Sequence, residues 1–262
     1  QYDITGLLRT GKNAVAVILG NGDYNCHTPP ENMRAPWRDA PKLLCDIEIG
    51  GNIVVVSDID WKCRTGPITF DALQEGERYD ARLEIPGFAD PETDDSSWDY
   101  AVPAMPPAGL VILQEHEPCR VTETLPPVKV KKFGSDQWVV DFGKNISGWC
   151  RIQVQGPTGA WLKVEHGELV RDNFDLDLDY WSWLPRYPDG FQEERYTLKG
   201  EGVEVYEPRF SQHGFRYAKI WASDFSVVLV TVEARFVHTD FVEIGKVATS
   251  DATLNQLQEM TR

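Results

Sequence analysis

Between residues 138 and 166 the side chains switch character at every second position, and that period leaves the backbone little choice but an extended strand. In the run Trp149-Cys150-Arg151-Ile152-Gln153-Val154, residues Cys150, Ile152 and Val154 share one face, with Arg151, Gln153 and Gln155 on the other. One face is therefore buried and one is wet. The preceding Trp138-Val139-Val140-Asp141-Phe142 is a second β-rich run, and Gly143, Asn145 and Gly148 lie between the two. These residue types tolerate φ above zero, so the expectation is a strand, a glycine-bounded turn and a strand. After the turn signal Gly156-Pro157-Thr158-Gly159 the alternation resumes, with Ala160, Leu162, Val164 and His166 opposite Trp161, Lys163 and Glu165. The pattern predicts an antiparallel meander forming half of a sandwich.

The rest of the chain repeats this grammar. Residues 14–19, Ala-Val-Ala-Val-Ile-Leu, read as a buried strand after the turn Gly11-Lys12-Asn13. A Pro-rich stretch from Cys26 to Pro41 follows, with Trp37 inside it; loops of that length commonly carry function. The simpler reading is an insertion anchored on the sandwich edge by Trp37, and the sharper one is a sugar platform. Residues 43–57 form a hairpin signal around Gly50-Gly51-Asn52, and Pro103, Pro106 and Pro107 mark a linker. Near the end Ser250 reads as an N-cap, with Asp251 at the positive end of the helix dipole and Leu254, Leu257 and Met260 opening an apolar stripe.

The chain of 262 residues is long enough for two β domains, each with its own core. Its formal net charge of −15 argues against nucleic acid or an anionic membrane as partner, and leaves a neutral ligand such as a sugar open. No run of about 18 apolar residues is present to span a membrane, and no segment at the start has a signal-peptide pattern. Cys26, Cys45, Cys63, Cys119 and Cys150 show neither zinc spacing nor a disulfide framework. They read mostly as buried thiols, with a single bridge left open.

Candidate chemistry is sparse. Glu75 and Glu77 fall on one strand face about 6.6 Å apart, a spacing that inverting glycosidases use, but any solvated strand provides such a pair. The surface reading is preferred, and no catalytic residue is assigned. Asp175, Asp177 and Asp179 alternate as in a calcium loop, yet Tyr180 stands where an EF-hand needs Gly and Arg186 where it needs Glu. That leaves a solvated acidic loop, with room for a loosely bound calcium ion and no other cofactor. His166 and His213 lie in strand patterns and read as hydrogen-bonded core or edge residues. Tyr180, Trp181, Trp183 and Tyr187 crowd into a polar, Pro-broken stretch. They could stack on sugar C–H faces, although docking on a neighbouring domain is the preferred reading.

Several segments resemble one family. Asp141-Phe142-Gly143-Lys144-Asn145-Ile146-Ser147-Gly148-Trp149 resembles a motif of bacterial α-L-rhamnosidases, inverting glycoside hydrolases, in which Gln usually stands where this chain has Lys144. Ser57-Asp58-Ile59-Asp60-Trp61, Gly66-Pro67-Ile68 and Gly76-Glu77-Arg78-Tyr79-Asp80-Ala81-Arg82 are similar to its N-terminal β domain. Pro208-Arg209-Phe210-Ser211-Gln212-His213-Gly214-Phe215-Arg216-Tyr217 resembles a strand pair of its second β domain, whereas Asp23-Tyr24 departs from the family's usual aromatic pair. The resemblance implies an all-β chain of two tandem jelly-roll-like sandwiches. Residues 1–113 would be a galactose-binding-like domain, 114–243 a concanavalin-like domain, and 244–262 the start of a helical catalytic barrel lying beyond this chain. The chain would then be non-catalytic itself, with the barrel and a rhamnose-containing glycoside as the parent's partners, and a stand-alone carbohydrate-binding module as the alternative. Trp37, Tyr180, Trp181 and Trp183 are its candidate sugar-binding or barrel-docking residues. The implied location is the bacterial periplasm or exterior rather than the cytoplasm.

Overall fold

The computed structural model describes residues 2–26, 35–106, 109–110, 112–181 and 190–261. Strands dominate, as the period-2 pattern requires, and the one α-helix among the described residues is α1 (Ala252–Met260) at their C-terminal end.

The hairpin of β1 (Asp46–Ile49) and β2 (Asn52–Val56) forms around Gly50-Gly51 as expected and stands as a separate two-stranded sheet. A small ladder joins β3 (Lys62–Cys63) to β6 (Asp99–Tyr100). Residues 14–19 form no strand, and Val15, Val17, Ile18 and Leu19 are all exposed. Apolar composition was present there, but none of the described strands pairs with it. Another correction concerns the cysteines: Cys63 and Cys119 are exposed, Cys45 is half-buried, only Cys26 and Cys150 are buried, and none of the five forms a disulfide.

A ten-stranded sheet carries the fold. Its path runs from β4 (Ile68–Ala72) through β5 (Gly76–Asp80), β13 (Glu193–Thr197), β10 (Trp161–Gly167) and β15 (His213–Ala222) to β9 (Gln137–Gln155), β16 (Val228–Thr239) and β7 (Cys119–Leu125). Alongside β9 lie β8 (Lys129–Phe133) and β14 (Val203–Tyr206). The expected strand, turn and strand at 138–154 is in fact the single 19-residue strand β9. It does not fold back because its two halves have different partners. The first half pairs with β8 and β15, and the second with β14 and β16. The strand therefore bends from one layer of the sandwich into the other, at the glycines that had looked like a turn.

Gly148 sits at the bend, opposite His213 of β15 on one edge and Phe236 of β16 on the other. A Cβ there would overlap the Arg235 carbonyl. Gly148→Ala should thus cost about 3 kcal/mol or more, because backbone on both sides blocks relaxation. Urea unfolding of the variant measures this, and an unchanged midpoint would contradict the close approach.

Alternation along β9 and β10 is as read: Cys150, Ile152, Val154, Leu162 and Val164 are buried between the layers with Phe215, Ile220, Tyr196 and Leu198. At the other end of the chain, Asp251 rather than Ser250 caps α1, its side chain accepting from the N–H groups of Thr253 and Leu254. None of the helix's residues is buried.

Candidate functional site

The densest polar chemistry lies inside the sandwich. β5 brings Glu77, β13 Glu194, β10 His166, β15 His213 and β14 Tyr206, and the loop before β15 brings Ser211. The surface reading of the Glu75 and Glu77 pair is overturned: Glu77 is 0% and Glu75 3% exposed. The physical reason is that β5 does not lie on a free face. It joins β13 in a parallel ladder, Arg78 beside Arg195 and Tyr79 beside Tyr196, and the loop 207–212 closes over it.

Donors converge on the buried carboxylates. Glu194 accepts the backbone N–H of Glu77 at 2.5 Å on one oxygen, and on the other the Ser211 hydroxyl at 2.6 Å and His213 Nε2 at 2.5 Å. Glu77 accepts the Tyr206 hydroxyl at 3.2 Å and the backbone N–H of Arg209 at 3.0 Å. Burial pushes both carboxyl groups up to about 7, opposed by these hydrogen bonds, with Glu194 raising Glu77 further. It pushes both imidazoles down to about 3, so they are neutral at pH 7 and His213 donates through Nε2. His166 holds the Gln192 carbonyl through Nδ1 at 3.0 Å, and its ring lies 4.6 Å from that of His213. The histidine reading holds for both rings: they are hydrogen-bonded core residues. Burial and the neighbouring Glu194 keep the Cys150 thiol protonated. With Glu194 and the two histidines almost wholly out of solvent, the cluster joins strands rather than meeting a substrate.

The aromatic candidates lie elsewhere. Trp37 occupies a turn and is 62% exposed. Tyr180 and Trp181 share the 3-10 turn Asp179–Trp181, where the Tyr180 hydroxyl accepts the backbone N–H of Glu168 at 2.9 Å. Trp183 lies outside the described residues. In the acidic stretch Lys219 reaches Asp175 at 2.7 Å and Arg171 reaches Asp179 at 2.9 Å and Asp177 at 3.8 Å. Each of the three carboxylates thus faces a basic side chain, Arg171 serving two of them, and among the described residues no three acidic, His or Cys side chains converge to hold a metal.

Sequence reasoning passed over two further tryptophans, on the wet face of β10 and β15. The Arg195 guanidinium lies 4.1 Å from the Trp161 ring centre, and the Lys219 ammonium 4.3 Å from that of Trp221. The signal available for Trp161 was its phase in the alternation, which placed it with Lys163 and Glu165 and so marked it as surface; Trp221 was not read at all.

Comparison with known proteins places these features. Residues 1–123 match the family described as alpha-L-rhamnosidase N-terminal domain, and residues 131–238 that described as bacterial alpha-L-rhamnosidase concanavalin-like domain. An alpha-L-rhamnosidase of Formosa agariphila is 32% identical over 277 residues, covering 100% of this chain and 28% of that protein. One from Streptomyces avermitilis is 31% identical over 268 residues, covering 98% of this chain and 25% of the relative. Among solved structures, the alpha-L-rhamnosidase from Dictyoglumus thermophilum superposes with a TM-score of 0.69 at 36% identity, over 79% of this chain and 23% of that one. The Streptomyces avermitilis alpha-L-rhamnosidase complexed with L-rhamnose gives 0.66 at 30% identity, over 78% and 19%. The chain thus spans about a quarter of the length of the curated relatives it matches.

Proposed function

The chain belongs to the bacterial α-L-rhamnosidase family through its two β domains, and from that premise we propose that it is the non-catalytic β portion of a glycoside hydrolase releasing terminal α-L-rhamnose. Its part is to support or dock the catalytic portion, which this reading places in the three quarters of the relatives' length that the chain does not match. The observation that carries the proposal is the inaccessibility of the carboxyl pair. Inverting hydrolysis needs an acid and a base open to substrate and water, about 6.5–9.5 Å apart, whereas Glu77 and Glu194 are sealed between strands.

The organisation that goes with this reading is 1–113, 114–243 and a helical portion beginning in 244–262, with β4 and β5 of the first unit lending their edge to the sheet of the second. On α1 the side chains of Leu254, Leu257 and Met260 are exposed, which suits a helix that packs on further helices. Exposure of Trp37 favours a second reading, a carbohydrate-binding module, in which its ring would stack on sugar.

The purified chain should leave an aryl α-L-rhamnoside intact under conditions where a full-length relative cleaves it. Turnover that co-purifies with the chain through successive columns would overturn the non-catalytic reading.

A further inference from the structure

Asn21 and Gly22 make the chain's single Asn-Gly step, and they sit where the segment 20–25 meets β4. We propose that this step is a self-modification site: Asn21 deamidates when its clamp on β4 opens, and the product cannot close the clamp again.

Asp71 of β4 is the clamp. It lies opposite Glu77 of β5 and is 8% exposed. Its carboxylate accepts the backbone N–H of Asn21 at 2.7 Å and an Nδ2–H of the same residue at 3.0 Å, while its backbone carbonyl also accepts from Nδ2 at 3.0 Å. Asn25 Nδ2 donates to Asn21 Oδ1 at 2.6 Å. Both polar atoms of the Asn21 amide are therefore engaged. The next residue is the opposite case. The Gly22 N–H meets no acceptor among the described residues, its φ is +52°, and a Cβ there would touch nothing within 4 Å.

The reaction needs only water. The Gly22 nitrogen gives its proton to hydroxide and attacks Asn21 Cγ. The new N–Cγ bond closes a five-membered imide as the Cγ–Nδ2 bond breaks, and the leaving nitrogen takes a proton from water and departs as ammonia. A second water then opens the imide at either carbonyl, giving Asp or its β-linked isomer. The attack requires Cγ to swing onto the chain's own next nitrogen, and the bonds to Asp71 and Asn25 oppose that swing. Once formed, the new carboxylate has no N–H to donate to Asp71 and sets a second negative charge against it. The neighbouring Gly20 lies so close to the Phe210 ring that a Cβ would overlap it, and the loop bearing Phe210 holds Glu77 through the Arg209 N–H. Release of the segment 20–25 thus loosens the cover of the buried carboxyl pair together with β4.

The test is peptide mapping by mass spectrometry, following conversion of Asn21 to the acid while the purified chain stands at mildly alkaline pH. Conversion in urea, where the clamp is gone, sets the upper rate. The folded parent should be slower by about tenfold or more, the hold of one hydrogen bond to a charged group. Asp71→Ala should recover most of that difference and the milder Asn25→Ala part of it, each variant first shown by circular dichroism to keep the parent's fold. Asn21→Asp, the product made genetically, should unfold at a lower urea concentration than the parent at neutral pH. Equal rates in the folded parent and in urea, or a rate that both clamp variants leave at the parent's value, overturn the gate. An unchanged urea midpoint for Asn21→Asp overturns the one-way closure.

Discussion

A chain beginning at residue 114 should lose its cooperative unfolding transition, although the cut falls in a linker by sequence. The second domain's sheet is not complete without the first domain's hairpin. β13 pairs along one edge with β5, and the backbone N–H groups of Gln192 and Glu193 donate to the carbonyls of Gln74 and Glu75 at 2.8 and 2.7 Å. Tyr79 stacks at 5.7 Å on Tyr196 and lies 5.6 Å from Tyr206, and Ala81 is part of the core. Removing the hairpin strips the core of an aromatic ring, a loss of about 3–5 kcal/mol. It also takes the Glu77 N–H from Glu194 and the Glu77 carboxylate from the Tyr206 hydroxyl, at about 1–3 kcal/mol each. The total approaches the whole stability of an ordinary domain, about 5–15 kcal/mol. Urea titration followed by tryptophan emission and by circular dichroism tests this. A fragment 114–262 that unfolds sharply at the parent's midpoint would show that the seam contributes nothing.

Glu77→Gln should change how stability depends on pH. Folded, Glu77 and Glu194 titrate near 7 rather than the ordinary 4.5, so between those values the folded state holds more protons than the unfolded one. Their contribution is present below pH 4.5 and is lost as pH rises to 7. His166 and His213 act in the opposite sense: with folded values near 3 against 6.5, they favour the unfolded state as pH falls from 6.5 to 3. From pH 4.5 to 6.5 the two pairs offset each other, and below 4.5 the histidines act alone. Replacing Glu77 removes one falling contribution. The variant's stability relative to the parent should therefore climb as pH rises from 4.5 to 7, by a few kcal/mol at most, about one per pH unit. Glu77 and Glu194 titrate as a pair, so the gain belongs to both. Parallel stability profiles for the two proteins across this range would refute the assignment.

The alternation that predicted β9 and β10 was legible because burial on one face leaves its period in the residues themselves, from Cys150 through Val164. What pairs with each strand edge leaves no such trace. Glu77 looked like any solvated carboxylate because what seals it in, the parallel neighbour β13 and the loop 207–212, lies more than a hundred residues away. Gly148 was recognisable as a required glycine, yet a turn and a close crossing demand the same residue. The rule for the helix cap was right in kind and one position off, as Ser250 and Asp251 both satisfy it. Residues 14–19 show the converse case, in which apolar β-branched residues promise a strand and no described partner forms the ladder.

The parallel seam between β5 and β13 also sets an order of events on the ribosome. Glu77 meets Glu194 across a separation of 117 residues, so the hairpin is made long before its partner exists. At about 5–20 residues per second, its edge stays open for roughly 6–23 s with polar backbone and Tyr79 uncovered. During that interval the nascent chain is most exposed to strand-to-strand association with its neighbours. Slower translation downstream of residue 80 would lengthen the exposure, and a chaperone that shields one β edge would have its greatest effect there.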